Sequence, residues 1–214
     1  MLSPQRGVGS VRILAGQWKR SVVPVPVSLG LRPTPERVRE TVFDWLTHLF
    51  GSLDGLCALD MFAGTGAMGL EATSRGAASV DWLEVNRQAA ASLRATLVRL
   101  KADPEAFRVF LTDAFAFTDR PSRTYDVVFI DPPFAASLQE KAIRQVLGSL
   151  SADGVIYVES PGKGVSDELL ETLGLVKVRA GSAGVVVFEL LARASGAMAS
   201  RVRLPRTKEK GKRS

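Results

Sequence analysis

Two short segments carry residues whose types and spacing can do chemistry. The first is Asp60-Met61-Phe62-Ala63-Gly64-Thr65-Gly66-Ala67-Met68-Gly69. Glycines let a backbone turn tightly and approach a ligand without side-chain clash. Gly64, Gly66 and Gly69 satisfy the G-x-G-x-x-G spacing of dinucleotide-binding turns, and Glu84 lies near the distance expected of a ribose-binding acid. Spacing alone therefore leaves a nicotinamide-dependent oxidoreductase open. Asp60 weighs against it, because a carboxylate at the head of the turn would repel a pyrophosphate. S-adenosylmethionine has no phosphate; it carries an ammonium and a sulfonium, and a nearby carboxylate favours both. Glu84 can accept both hydroxyls of a ribose. Asp113, in Leu111-Thr112-Asp113-Ala114-Phe115, can accept from an adenine amino group, with Ala114 and Phe115 lining an apolar slot. Acids at three successive strand ends along one sheet edge form a ligand cleft.

The second segment is Asp131-Pro132-Pro133-Phe134. Two prolines stiffen the backbone and remove amide donors, so the turn presents carbonyls and a carboxylate. That suits a substrate amine. An exocyclic base amine is a poor nucleophile because its lone pair is delocalised into the ring. Accepting its hydrogens on the Asp131 carboxylate and the Pro132 carbonyl directs that lone pair at a sulfonium methyl. Transfer is then an in-line displacement catalysed by positioning and electrostatics. Phe134 offers a face on which a base can stack. Cys57 is the only cysteine and falls inside an apolar strand, which argues against chemistry needing an attacking thiolate. No Cys/His cluster suggests a metal site.

The elements that position these residues follow from hydrophobic period. Residues 11–14 and 22–27 are β-rich and broken by glycine and proline, which predicts a hairpin or arm. A helix follows, with Thr34 as its expected cap and Pro35 in its first turn. Strands are predicted at 57–62, 79–83, 107–111, 125–130 and 154–159, and helices at 67–75, 86–101, 138–150 and 165–173. This alternation implies an α/β fold, a mostly parallel sheet with helices on both faces. Residues 176–179 and 185–191 have only a tight link between them and must close the sheet as antiparallel strands.

Both motifs, Asp-x-Phe-x-Gly-x-Gly and Asp-Pro-Pro-Phe, resemble those of class I methyltransferases that modify base amino groups. Arg12-Ile13-Leu14-Ala15-Gly16-Gln17-Trp18 and Leu31-Arg32-Pro33-Thr34-Pro35-Glu36-Arg37-Val38-Arg39-Glu40 resemble the bacterial 16S rRNA guanine-N2 methyltransferase D family. The resemblance spans residues 11–191. It implies a Rossmann-like seven-stranded methyltransferase sheet, S-adenosylmethionine as cofactor, a cytoplasmic monomer, and 16S rRNA of the small ribosomal subunit as partner. It carries the cofactor contacts to Asp60, Phe62, Gly64, Gly66, Glu84, Asp113 and Ala114, and the catalytic motif to Asp131, Pro132, Pro133 and Phe134. Arg32 and Thr34 are expected to act at the site, closing over the cofactor; for Arg37 and Arg39, phosphate contacts and ion pairs with Glu36 and Glu40 stay open. Trp18 either stacks on RNA or pins the arm to the core. His48 is expected on a helix surface. After Trp18 the family continues with glycine and further bases, whereas this chain has Lys19-Arg20-Ser21-Val22.

The net charge of +6 is unevenly spread. Residues 1–40 hold seven bases against Glu36 and Glu40, and residues 199–214 seven against Glu209, so the middle is acidic. Basic arms on an acidic centre suit a polyanionic partner. No apolar run approaches the length of a membrane span, and no secretory signal is expected at the N-terminus. The chain thus divides into a β-hairpin and basic arm over 1–33, a methyltransferase domain over 34–192, and a basic tail over 193–214 expected to be disordered. A DNA or RNA adenine-N6 methyltransferase and a non-catalytic RNA-binding assembly factor are the alternatives. No target-recognition domain is visible for the DNA enzyme.

Overall fold

The computed structural model describes residues 9–25, 33–118, 123–133 and 138–202. At its centre, short strands of almost unbroken apolar sequence line up as β3 (Cys57–Asp60), β4 (Ser79–Glu84), β5 (Phe107–Leu111) and β6 (Tyr125–Ile130). Strands covered on both faces need no polar alternation. With β7 (Leu150–Pro161), β8 (Leu175–Ala183) and β9 (Val186–Arg193) they form one seven-stranded sheet, ordered β5-β4-β3-β6-β7-β9-β8. Strands β3 to β7 pair in parallel. Strand β9 inserts antiparallel between β7 and β8, as the tight Gly184 link requires.

Helices α1 (Glu36–Phe50), α2 (Ala67–Ser74) and α3 (Arg87–Arg99) contribute to the core on one face. Helices α4 (Ala114–Thr118), α5 (Gln139–Val146) and α6 (Asp167–Leu173) belong to the other. In α1, Val38, Val42, Phe43, Leu46 and Leu49 form the buried stripe. Asn86 caps α3 by accepting from the amides of Gln88 and Ala89. Thr34 does not cap α1: Pro35 stands at the cap position with no side-chain bond, and Thr34 is drawn into the cleft instead.

The hairpin of β1 (Gly9–Arg12) and β2 (Val22–Val25) is fixed to the domain rather than hanging from it. Val11, Ile13, Val23 and Val25 are buried in the main core. The centre of the attachment is Glu71, fully buried on α2. Its carboxylate accepts the amides of Leu14 (2.8 Å) and Ala15 (3.0 Å) and pairs with Arg39 (3.3 Å) and Arg75 (2.8 Å). Arg39 also donates to the carbonyls of Thr34 and Arg12. Arg39 is therefore neither a phosphate ligand nor a partner in a surface pair with Glu36 or Glu40; it is a buried counter-charge. Arg37 is exposed. Trp18 pins the hairpin, its amide bonded to Ser74 and its ring edge-on to Phe107 at 6.5 Å.

Some boundaries differ from the sequence pattern. The helix expected over 138–150 stops at Val146, because Leu150 already pairs with Tyr125 in β7. The five-residue α4 was not expected. Order continues beyond Arg193, where the apolar pattern fades: a 3-10 helix, Ala197–Arg201, buries Met198, and its Arg201 carbonyl accepts from Arg179. Residues 203–214 lie outside the described residues.

Candidate active site

The chain runs outward from β3 to β4 and β5, then returns to β6 on the other side of β3. At such a reversal the carboxyl ends of neighbouring strands leave a crevice. Here it is a cavity of about 790 Å³, running from Glu84 and Asp113 at one end, past Asp60 and Asp131, to Thr34, Glu159 and the Gly184 turn at the other.

The glycine turn after β3 has the geometry its spacing predicts. Gly66 adopts φ 75, in the left-handed region, immediately before α2. A side chain on Gly69 would meet Trp82 Nε1 at 2.2 Å, so α2 lies on β4 at a distance only glycine permits. Asp60 closes the turn from below: its carboxylate is buried and accepts the Gly69 amide at 3.1 Å. Burial pushes this carboxyl up to about 7; the nearby Glu84 charge adds to the effect and the Gly69 hydrogen bond opposes it. A buried acid held so high favours a cationic neighbour.

Glu84, at the end of β4, is fixed by two amides, from Gly64 at 2.7 Å and Asn86 at 2.6 Å. A carboxylate offers about four lone-pair sites, so positions remain for a diol. Asp113 caps α4 through Oδ1, which accepts from Phe115 (2.8 Å) and Ala116 (3.2 Å). Phe62, Gly64, Glu84, Asp113 and Ala114 all line the cavity. Phe115 does not: it packs edge-on to Phe62 at 6.1 Å, with Lys141 over its ring. The half of the cleft above β3, β4 and β5 thus brings together a diol acceptor, an acceptor beside an apolar slot, and a buried acid. That set of acceptors fits the ribose, the adenine and the cationic end of S-adenosylmethionine.

The other half centres on Asp131. Burial raises its carboxyl to about 8, Glu159 and Asp60 add to the rise, and a hydrogen bond from Thr34 opposes it. Pro132 and Pro133 line the cavity beside it. Glu159, two residues before the end of β7, was not singled out from the sequence. It is 6% exposed, accepts from the Tyr157 hydroxyl, and shares the Thr34 hydroxyl with Asp131. Burial raises its carboxyl as well. Its signal was present: 154–159 reads as a strand and Glu159 ends it, as Asp60, Glu84 and Asp131 end or follow theirs. Thr34, expected against the cofactor, stands against these two acids. Arg32 and Phe134 lie outside the described residues. His48 is exposed on α1, and Cys57 is half-buried in β3.

Known proteins with this topology say what class the fold and cleft define. The solved structure of yhhF from Escherichia coli superposes with a TM-score of 0.74 and 36% sequence identity, covering 86% of this chain and 98% of that one. The protein is a methyltransferase of the doubly wound α/β class. Residues 11–191 match the family described as Conserved hypothetical protein 95. Ribosomal RNA small subunit methyltransferase D of Escherichia coli is 44% identical over 72% of this chain and 76% of its own length. That of Haemophilus influenzae is 40% identical over 71% and 79%. The chain belongs to this methyltransferase D family.

Proposed function

We propose that the protein transfers a methyl group from S-adenosylmethionine to the N2 amino group of a guanine in 16S rRNA of the small ribosomal subunit. Membership of the methyltransferase D family supports ribosomal RNA as the substrate. The observation that carries the base-amine chemistry is Asp131, a cleft carboxylate on a di-proline turn, set between the cofactor half and an apolar lip formed by residues 183–186.

The bound cofactor supplies an electrophilic methyl on a positively charged sulfur. Asp60, Glu84 and Asp113 would hold and orient it, and Gly64, in the cavity lining, would allow its close approach. Asp131 and the Pro132 carbonyl accept the two amine hydrogens and fix the lone pair toward the methyl. Forming the N–C bond would break the methyl–sulfur bond, with its electron pair left on sulfur, and would require the amine to lose a proton, which Asp131 is placed to take. Burial and the neighbouring Glu159 raise this carboxyl toward neutrality, which suits a base working near neutral pH. Thr34 steadies the carboxylate, and Phe134 is the expected stacking face.

Labelled S-adenosylmethionine and small subunits lacking native base methylation test the proposal. Label recovered as N2-methylguanosine at a single site is the expected result. Label in another nucleoside overturns the base assignment, and failure to label subunits while binding cofactor overturns the substrate.

A further inference from the structure

Glu159 has no role in the mechanism above, yet its surroundings are those of a ligand-binding group. Strands β6 and β7 run parallel with Ile130 opposite Val158. The next residue on each is Asp131 and Glu159, so the two acids stand side by side, on strands about 4.8 Å apart. Both line the cleft, and both bond the one hydroxyl of Thr34. Among the described residues no cation contributes to the environment of either. Two neighbouring carboxylates in a mostly apolar cleft are costly unless donors reach them. Tyr157 donates to Glu159 Oε1, and Thr34 has a single hydroxyl proton to share between Glu159 and Asp131, so this cavity-lining carboxylate, with about four lone-pair sites, keeps acceptor capacity.

The ligand that matches this pair presents donors on adjacent atoms. Guanine does so: its ring N1–H lies next to the N2 amine. Adenine and cytosine place an acceptor nitrogen beside their exocyclic amine, and its lone pair would face a carboxylate. We infer that Glu159 determines base specificity by accepting the N1–H of the target guanine while Asp131 holds the adjacent N2 amine. The inference rests on the guanine reading above and deepens it. Asp131 and the di-proline turn serve any base amine, and Glu159 makes the site one for guanine. A site built to bond a substrate N–H leaves a buried polar group unpaired when the analogue lacks it, so rejection is strong.

The discriminating substrate is a small subunit reconstituted with 16S rRNA carrying 2-aminopurine in place of the modified guanine. This base keeps the C2 amine but has an acceptor at N1. Wild-type protein should methylate it with a kcat/KM lower by about 10- to 100-fold than the guanine subunit. Glu159→Gln keeps an acceptor for Tyr157 and adds a donor toward the base. It should lower transfer to guanine and raise transfer to 2-aminopurine, narrowing the ratio by at least about 10-fold. Equal losses on both substrates, with cofactor affinity retained, would overturn the inference and leave the guanine-N2 reading standing. Equal wild-type rates on the two substrates would overturn it without any variant. Wild-type label in a nucleoside other than N2-methylguanosine would remove both together.

Discussion

Replacing Asp60 by asparagine removes a charge and nearly keeps a shape. The amide oxygen can still accept the Gly69 N–H now held at 3.1 Å, so the turn and the start of α2 keep their anchor. What changes is the cost of ionisation. Burial holds the Asp60 carboxyl at about 7 against an ordinary 3.8. A raised acid binds more protons in the folded than in the unfolded state, so its contribution to stability is fully present below pH 3.8 and is lost as pH rises through about 7. At ~1.36 kcal/mol per pH unit, that displacement corresponds to at most about 4 kcal/mol above pH 8. Relaxation and water entry reduce this, and about 1–4 kcal/mol is the expected range. The Asp60→Asn protein without ligand should therefore be more stable than wild type at pH 8 and nearly equal to it at pH 4. Urea unfolding at pH 4, 6 and 8 reads the difference directly. The same variant should bind S-adenosylmethionine at least about 10-fold more weakly, because the carboxylate that favours its cationic end is gone. A variant less stable than wild type at pH 8, or a gap independent of pH, would refute this account of the buried acid.

Other expectations follow from the same geometry. Asp131→Asn should lower methyl transfer by about 10²–10⁴-fold with cofactor affinity retained, and wild-type turnover should rise with pH as the raised Asp131–Glu159 pair ionises; single-turnover rates across pH, set beside binding titrations, check both. Gly69→Ala places a methyl 2.2 Å from Trp82 Nε1 and should cost about 1–3 kcal/mol, measured by urea unfolding. Glu71→Gln leaves Arg39 buried without its counter-charge and should cost about 3–5 kcal/mol, with faster amide exchange at Leu14 and Ala15 marking the loosened hairpin. Removing residues 203–214, which hold six bases against Glu209, should weaken RNA affinity and flatten its dependence on salt; an unchanged salt slope would leave the tail without an RNA contact.

The half of the cleft above β3, β4 and β5 was legible in the sequence because its signals are local. Each of Asp60, Glu84 and Asp113 ends or follows an apolar run, and the glycine spacing lies within ten residues. The half around Asp131 and Glu159 depends on contacts between distant segments. Thr34 reads as a helix cap because capping preference is local, yet two acids roughly a hundred residues away draw its hydroxyl into the cleft. Arg39 counts as one more base in a basic arm until Glu71, 32 residues on, is seen to neutralise it. Glu159 went unremarked because a strand-end acid carries meaning only once strand order is known, and β7 becomes the neighbour of β6 only in the folded sheet. Helix α4 spans five residues, too few for a periodic pattern to register.

The attachment of the hairpin to Glu71 also fixes an order of events during synthesis. Leu14 leaves the ribosome well before the carboxylate that will hold it, which lies 57 residues later in the chain. At about 5–20 residues per second, translation needs roughly 3–11 s to deliver that partner. Until then the amides of Leu14 and Ala15 have no Glu71 carboxylate to receive them. The hairpin strands are thus made before the helix that secures them, and through that interval the hairpin lacks its anchor on Glu71.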